Sequence, residues 1–472
     1  MDHAAFLNDS LKSDDGDPGQ EAYKYFMRPD PDMRNFLGPI EYEDDPITGT
    51  RAKFRHSRVA MIRGAEATKD VKVYLGFDGV TMPPHLRIDK AKDLQGWYQS
   101  KGPTGGTSRE RPCMSDAILT EPYGGFCTVG CAFCYINSGT KGYRGSGLIS
   151  VPLDYGGQVE KMIGKMKTAS AGYFSSFTDP FLPLENFYHN TQKAATAFSN
   201  AGLPVFFLSR LNYPDWAIDL LKKNPYSYAQ KSLNTCDPED WKKLSPGAMG
   251  LLEHIEQVGE LRKQGIYTSI QVNPIVPGVT TVDEIKQLFE MLAAVGNNHV
   301  ILKFVEAGYA WAPAMIERIK ARFGDNRGGV FESLFVDNMG GQKCVDEEWR
   351  MNAHRELQPY ATKLGMTYST CYEYEYTDRN PDGSLNSKKT RSIGRDFLTA
   401  DQCHGQRVPM FTRFDTSTPF VEVAECPPSG CLHCGDEDPE GRGACGSLLF
   451  GAAKSNKMKD FKVGAYDREA QP

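Results

Sequence analysis

"CTVGCAFCY", residues 127 to 135, places Cys127, Cys131 and Cys134 within eight residues, spaced C-x3-C-x2-C. A structural zinc site closes with four protein ligands. Here only three are local, and the loop holds neither His nor Asp. Three thiolates suit three irons of a [4Fe–4S] cube, whose fourth iron stays open for an outside ligand. Gly124, Gly125 and Gly130 let backbone amides approach the sulfurs, and such hydrogen bonds tune a cluster. The alternative, three unrelated buried cysteines, does not account for so tight a spacing at the end of a strand.

Around this loop the composition is that of a globular protein: 472 residues, 40% hydrophobic and 24% charged. That length leaves room for two or three domains. No apolar run approaches the 18 or so residues of a membrane span. The acidic start "MDHAAFLNDSLKSDDGD" lacks the pattern of a secretory signal, so a cytoplasmic location is expected. Twelve cysteines then point to metal or redox chemistry rather than disulfides. A net charge of −6 argues against non-specific nucleic-acid binding, which draws on a basic face.

The chain divides in three. Residues 1–112 form a polar N-terminal extension with strand-like pieces, "RVAMIRG" and "VKVYLGF", ending in the boundary run "QSKGPTGGTSRERP". Residues 113–376 alternate short apolar strands with helical periods. "DAILTEP" is a predicted strand before the cysteine loop. "GYFSSFTDP", "PVFFLSR", "SYAQKSLNT", "YTSIQVNPIVPG" and "HVILKFV" follow, separated by helices such as "FYHNTQKAATAFSNAG" and "LLEHIEQVGELRKQG". A last unit is expected through "VFESLFVDN", "EEWRMNAHRELQPYATKLG" and "TYSTCYEYEY". Six to eight such units predict an α/β fold, a full or partial (β/α) barrel with its site at the C-terminal ends of the strands. Residues 377–472 are an irregular, cysteine-rich segment.

The cysteine loop with Phe133 at its aromatic position, following the first strand of a β/α succession, resembles the signature of the radical S-adenosylmethionine (SAM) superfamily. "EPYGGFCTVGCAFCY", "SSFTDPFLPLE", "LSRLNYPDWAIDLL" and "VNPIVPGVTTVDEI" resemble its spore photoproduct lyase-like branch over about residues 115–305. Glu121 stands where that branch carries asparagine. The resemblance implies a [4Fe–4S] cluster on the three cysteines, SAM on its open iron, and an electron donor such as flavodoxin or ferredoxin. It implies reductive cleavage of SAM to a 5′-deoxyadenosyl radical that removes hydrogen from a substrate in the barrel. It implies further that Phe133 packs near the adenine and that Thr178 and Asp179 contact SAM. Arg210, where the branch has lysine, would pair with the SAM carboxylate, and the short polar strand ends Ser232, Asn234 and Asn273 suit the ribose and carboxylate. Glu185 is either a further contact or a solvated loop acid. The branch's arginine after strand four falls here at His254, read as a surface helix residue. Cys236, two residues past Asn234, is the candidate hydrogen donor to a product radical, the role a cysteine plays in the lyase.

A second set, Cys426, Cys431, Cys434 and Cys445, is complete by itself. It reads as an auxiliary [4Fe–4S] cluster, or as a zinc knuckle holding a coreless segment together. Cys403 and His433 are substitute ligands this set could draw on; otherwise Cys113, Cys344, Cys371 and Cys403 read as inert. The expected substrate is a small molecule or peptide. Alternatives are a nucleic-acid lesion or modification site, a cobalamin-dependent methyl transfer, and a non-catalytic Fe–S protein.

Overall fold

Continuous apolar runs such as "VFFLS" at 205–209 are buried on both faces, as strands of a parallel sheet covered by helices must be. The computed structural model describes residues 38–422 except 61–67, 90–94, 97–116, 137–147 and a few isolated positions; 1–37 and 423–472 lie outside the described residues. The expected metal ligands Cys426, Cys431, Cys434 and Cys445 therefore also lie outside them.

The described chain opens with four strands: β1 (Ile40–Asp45), β2 (Thr50–Ala60), β3 (Thr68–Phe77) and β4 (Val80–Ile88). They pair as an antiparallel meander, where the sequence suggested mostly loop. Next, β5 (Ile118–Thr120) enters the cysteine loop and β6 (Ile149–Pro152) follows it. β6 pairs in parallel with β4, and Gly124 bridges to Ser150. The loop is thereby fastened to two sheets.

From there strands and helices alternate. They are α1 (Tyr155–Ile163), β7 (Gly172–Phe174), α2 (Glu185–Tyr188), α3 (Asn190–Asn200), β8 (Val205–Ser209), α4 (Asp215–Lys222), β9 (Tyr228–Leu233), α5 (Pro238–Leu244), α6 (Leu251–Lys263), β10 (Tyr267–Ile275), α7 (Val282–Ala294) and β11 (His299–Phe304). β12 (Glu306–Gly308), α8 (Ala312–Leu334), β13 (Asp337–Met339), β14 (Gln342–Cys344), α9 (Glu347–Lys363) and β15 (Thr367–Thr370) complete the series. The main sheet runs β15-β11-β10-β9-β8-β7-β5, all parallel, with the short strand Gln95–Gly96 antiparallel at the β5 edge. This is an open, partial β/α barrel.

The last expected unit is differently built. "VFESL" belongs to α8, which continues beyond a kink at Gly324 (φ 78°). β13 joins β12 and β14 in a small antiparallel sheet. Tyr372 (φ 54°) bends the chain out of the barrel after β15, and Tyr374–Tyr376 pairs elsewhere with Thr390–Ser392.

Alternation along each strand sorts the side chains. On β9, Ala229 and Leu233 pack outward among helices. Tyr228 points inward, stacked on Phe206 (4.5 Å between ring centroids), which stacks on Tyr173 (4.5 Å). His404 closes this aromatic floor, with its ring bonded to the Tyr228 hydroxyl. Above the floor the inward positions turn polar, and there the cavity begins.

Candidate active site

A cavity of about 670 Å³ opens at the C-terminal ends of the strands, and Cys127, Cys131 and Cys134 line one wall of it. Their loop is clamped from below. Ala132 N–H donates to the Leu244 carbonyl (2.8 Å) and Gly247 N–H to that of Val129 (3.0 Å). The approach is so close that a Cβ at Gly247 would fall 2.3 Å from the Thr128 oxygen. Ser245 Oγ lies 3.3 Å from Cys131 Sγ. Gly130 takes φ +66°, a conformation a side chain would resist.

Burial pushes the Cys127 thiol well up and that of Cys134 up to about 12, reinforced in both by the neighbouring cysteines. Off water and beside one another, the Cys127 and Cys134 thiols favour their protonated forms unless a cation compensates. The chemistry of this donor set therefore fits iron, which takes thiolates and supplies positive charge. Among the described residues no three His, Cys, Asp or Glu side chains converge on a single ion position.

Arg210, at the end of β8, is the cation beside this wall. It is buried, and its pKa is lowered by that burial against the pull of the Cys131, Cys134 and Asp179 side chains. Its fork donates to Ser245 Oγ (3.1 Å) and to the Asn273 carbonyl (2.6 Å). It lies over Phe133 (5.2 Å) and Trp241 (5.1 Å), each a stabilising cation–π contact.

Phe133, Thr178, Asp179, Arg210, Ser232 and Asn273 all line the cavity. Several of their polar atoms are already engaged. Thr178 donates to the Tyr123 carbonyl (3.1 Å). Asp179 accepts from Ser209 Oγ (2.9 Å), Arg210 N–H (2.8 Å) and Phe181 N–H (2.9 Å), while burial raises its pKa. Ser232 Oγ donates to the Asn273 carbonyl (3.3 Å).

The structure does not bring the other candidates to the cavity lining. Asn234 sits behind it, donating to the Pro274 carbonyl (3.2 Å). Cys236 is turned away toward α7, its thiol 3.4 Å from Gln287 Oε1. Glu185 is no solvated acid. It is buried and accepts from the Tyr123 hydroxyl (2.5 Å) and the N–H groups of Thr191 (3.0 Å) and Gln192 (2.8 Å), capping α3. His254 is not a surface residue either; its ring is fully buried edge-on to Trp241 (5.7 Å), and desolvation holds its pKa well below the usual value. Glu121, the departure from the branch pattern, accepts from Ser176 N–H (2.6 Å) and Phe177 N–H (3.0 Å) and so shapes the end of β7.

Sequence reasoning passed over Gln271, Lys303, Glu306, Cys371, Cys403 and His404, all of which line the cavity. Cys371 reads as inert from the sequence, and Cys403 as inert or as a substitute ligand of the second cysteine set. The missed signal is a lysine inside the apolar strand "HVILKFV", on the inward parity set by Ile301.

No family model matches the chain. A curated protein of Pseudomonas phage M6, named radical SAM Nalpha-GlyT isomerase, is 64% identical over 465 residues, covering 98% of this chain and 95% of its own. Among solved structures, a spore photoproduct lyase with AdoMet and dinucleoside spore photoproduct bound is 15% identical, covers 53% of this chain and 75% of its own, and has a TM-score of 0.39. Streptococcus suis SuiB bound to S-adenosylmethionine is 11% identical over 56% of this chain and 52% of its own, with a TM-score of 0.37.

Proposed function

The chain belongs to the radical SAM enzymes, and from that premise we propose that it isomerises a glycine carried by a larger substrate, as the name of its phage relative describes. The observation that carries this reading is identity of 64% along almost the whole of both chains. It is supported by three thiols and a buried arginine on one wall of a cavity large enough for SAM and a second molecule.

A [4Fe–4S] cluster held by Cys127, Cys131 and Cys134 would, with SAM bound, supply the reducing electron and the hydrogen-abstracting radical chemistry. The chain's own residues do the rest. Cys127, Cys131 and Cys134 hold three irons. Arg210 offers a fixed fork to the SAM carboxylate, and Phe133 flanks the adenine. Thr178 and Asp179 stiffen the wall, their polar atoms being spent on backbone and Ser209. Ser232 and Asn273 meet the ribose side, and Asn234 steadies Arg210 from behind. Cys236 faces away from the cavity, which speaks against its serving as a hydrogen donor. An electron donor such as flavodoxin or ferredoxin in the cytoplasm completes the system. Cys426, Cys431, Cys434 and Cys445 hold a second metal site, read as iron–sulfur in preference to zinc. The division at residues 112 and 376 remains our reading of the domains.

A specific feature bears on the carrier. A glycine named by its α-nitrogen as the point of attachment is not joined as in an ordinary Gly-Thr peptide, where the carboxyl forms the bond. That favours thymine over threonine for the T of the relative's substrate, and a nucleotide over a peptide as carrier.

The test is anaerobic turnover of reconstituted enzyme with glycine deuterated at Cα, offered as a thymidine derivative, in DNA and as a Gly-Thr peptide. Deuterium in 5′-deoxyadenosine trapped during turnover, and returned from it to a product of unchanged composition, is expected from a thymine-borne substrate. Release of 5′-deoxyadenosine without label, or a product of altered composition, rules out the isomerase reading; turnover of the peptide alone would reverse the choice of carrier.

A further inference from the structure

Three strands across the sheet from Arg210, roughly 14 Å at the usual strand spacing, the cavity holds a second charged group. Lys303 points inward from β11, and its ammonium lies 3.1 Å from Glu306 Oε1 and 5.5 Å from the centroid of the Tyr372 ring. Both side chains are largely shielded, 14% and 20% exposed, and both line the cavity. Shielding such a pair from water carries a desolvation cost that a two-residue contact seldom recovers alone.

On the same lining, Gln271 Oε1 and Thr370 Oγ1 are buried without a hydrogen-bond partner. Buried polar atoms are nearly always satisfied, and leaving one unpaired is costly. This end of the cavity thus offers a cation, an anion, an unused acceptor and an unused hydroxyl in one place. An amino acid carries the matching set.

We propose that this is the subsite for the amino-acid part of the substrate: Lys303 takes its carboxylate, while Glu306 and Gln271 take its amine. The inference rests on the isomerase reading above. A glycine attached through nitrogen keeps its carboxylate and a basic amine, and both need partners once water is excluded. Lys303 is then a specificity-determining residue that rejects the same carrier bearing an uncharged group, because the ammonium would lose the substrate carboxylate as a partner. Placed three strands from the cluster wall, it fixes which end of the substrate faces the SAM side of the cavity.

The probe, the glycyl ligand, is thymidine bearing glycine through its α-nitrogen with the carboxylate free, compared with the analogue that carries a methylamino group in place of glycine. Both are titrated into the SAM-loaded holoenzyme and their binding read calorimetrically. Lys303→Met is expected to weaken the glycyl ligand about 10- to 100-fold, the range for a lost charge-assisted bond, and to leave the methylamino analogue at its wild-type affinity. Lys303→Arg should recover most of the loss. Glu306→Gln should weaken both ligands together, since both keep the amine. Equal loss of both ligands in Lys303→Met, which a damaged fold would also give, overturns the assignment, as does no loss of either. Failure of wild type to bind the glycyl ligand would instead sink the substrate reading, and this subsite with it.

Discussion

The Arg210 guanidinium touches hydroxyl, carbonyl and ring faces and hydrogen-bonds no carboxylate among the described residues, so its charge is held ready for an incoming anion. Arg210→Ala is expected to raise the dissociation constant for SAM about 10- to 100-fold, and Arg210→Lys to restore only part, since an ammonium lacks the fork. Equilibrium dialysis with labelled SAM reads this directly; an unchanged constant would assign Arg210 to the scaffold. Glu185 makes a different prediction. Desolvation raises its pKa from 4.5 to about 7 despite the bonds it accepts from Tyr123, Gln192 and Thr191. Between those values the folded chain holds a proton that the unfolded chain has released. Its contribution is therefore full below about pH 4.5 and is lost as pH rises through about 7, on the order of 3 kcal/mol for a shift of this size. Melting temperatures from pH 5 to 8 should fall less steeply in Glu185→Gln than in wild type. At this scale the sequence shows the cysteines and Arg210 because spacing and strand ends mark them. Glu185 and His254 stay ambiguous, since their burial comes from partners outside their own helices: Tyr123 covers the one and Trp241 of the preceding helix the other.

The strands and helices of the barrel follow their hydrophobic periods closely from β5 to β11, because each alternates short buried runs with amphipathic helices. Three departures share a cause. The segment read as one helix from 187 to 202 is α2 and α3, broken at His189 (φ 54°). Gly324 (φ 78°, ψ 167°) breaks α8 where the helical period of "APAMIERIKARFG" ends, and "VFESL", expected to open a last unit, lies in the helical stretch that follows the break; Tyr372 turns the last strand away. Each depends on a single backbone angle that no side-chain pattern announces. α7, in contrast, is announced at its start. Thr281 and Glu284 form a reciprocal capping box, with Glu284 N–H to Thr281 Oγ1 at 3.2 Å and Thr281 N–H to Glu284 Oε2 at 2.6 Å. Thr281→Ala should lower stability by about 1 kcal/mol, and adding Glu284→Ala should cost less than the two single losses together, because one motif is removed twice. Urea titrations of the three variants check this; additive losses would mean the two residues act separately.

Across the whole molecule, Arg87 forks onto Asp45 and donates from Nε to the Tyr188 hydroxyl (2.9 Å), and His85 reaches the same hydroxyl (2.9 Å). This knot joins the N-terminal sheet to α2. Arg350 and Glu373 form a buried pair (2.7 Å) beside β15, where Glu373 also accepts from Phe304 N–H (2.8 Å). The number of metal centres is likewise a property of the entire chain. Reconstituted protein is expected to carry about eight irons, two cubes of four. Cys431→Ala with Cys434→Ala should leave about four and keep the cluster that binds SAM. Iron content unchanged by that pair, with zinc lost instead, would make the C-terminal site a knuckle.

The pairing of β6 with β4 carries a consequence for how the chain is made. Translation delivers β4 some sixty residues before the strand that covers its flank, and everything between includes the three cysteines. Until Ile149–Pro152 has left the ribosome, β4 presents a bare edge open to other chains. A fragment ending at residue 112 should accordingly aggregate, whereas one extended to residue 166 should stay dispersed, a difference light scattering would register. The last strand of the first sheet to arrive is also the one that draws the cysteine loop shut at both ends. Completion of that sheet and the tethering of the cysteine loop are, in this chain, the same event in time, and the clamp by Leu244 and Gly247 follows about ninety residues later.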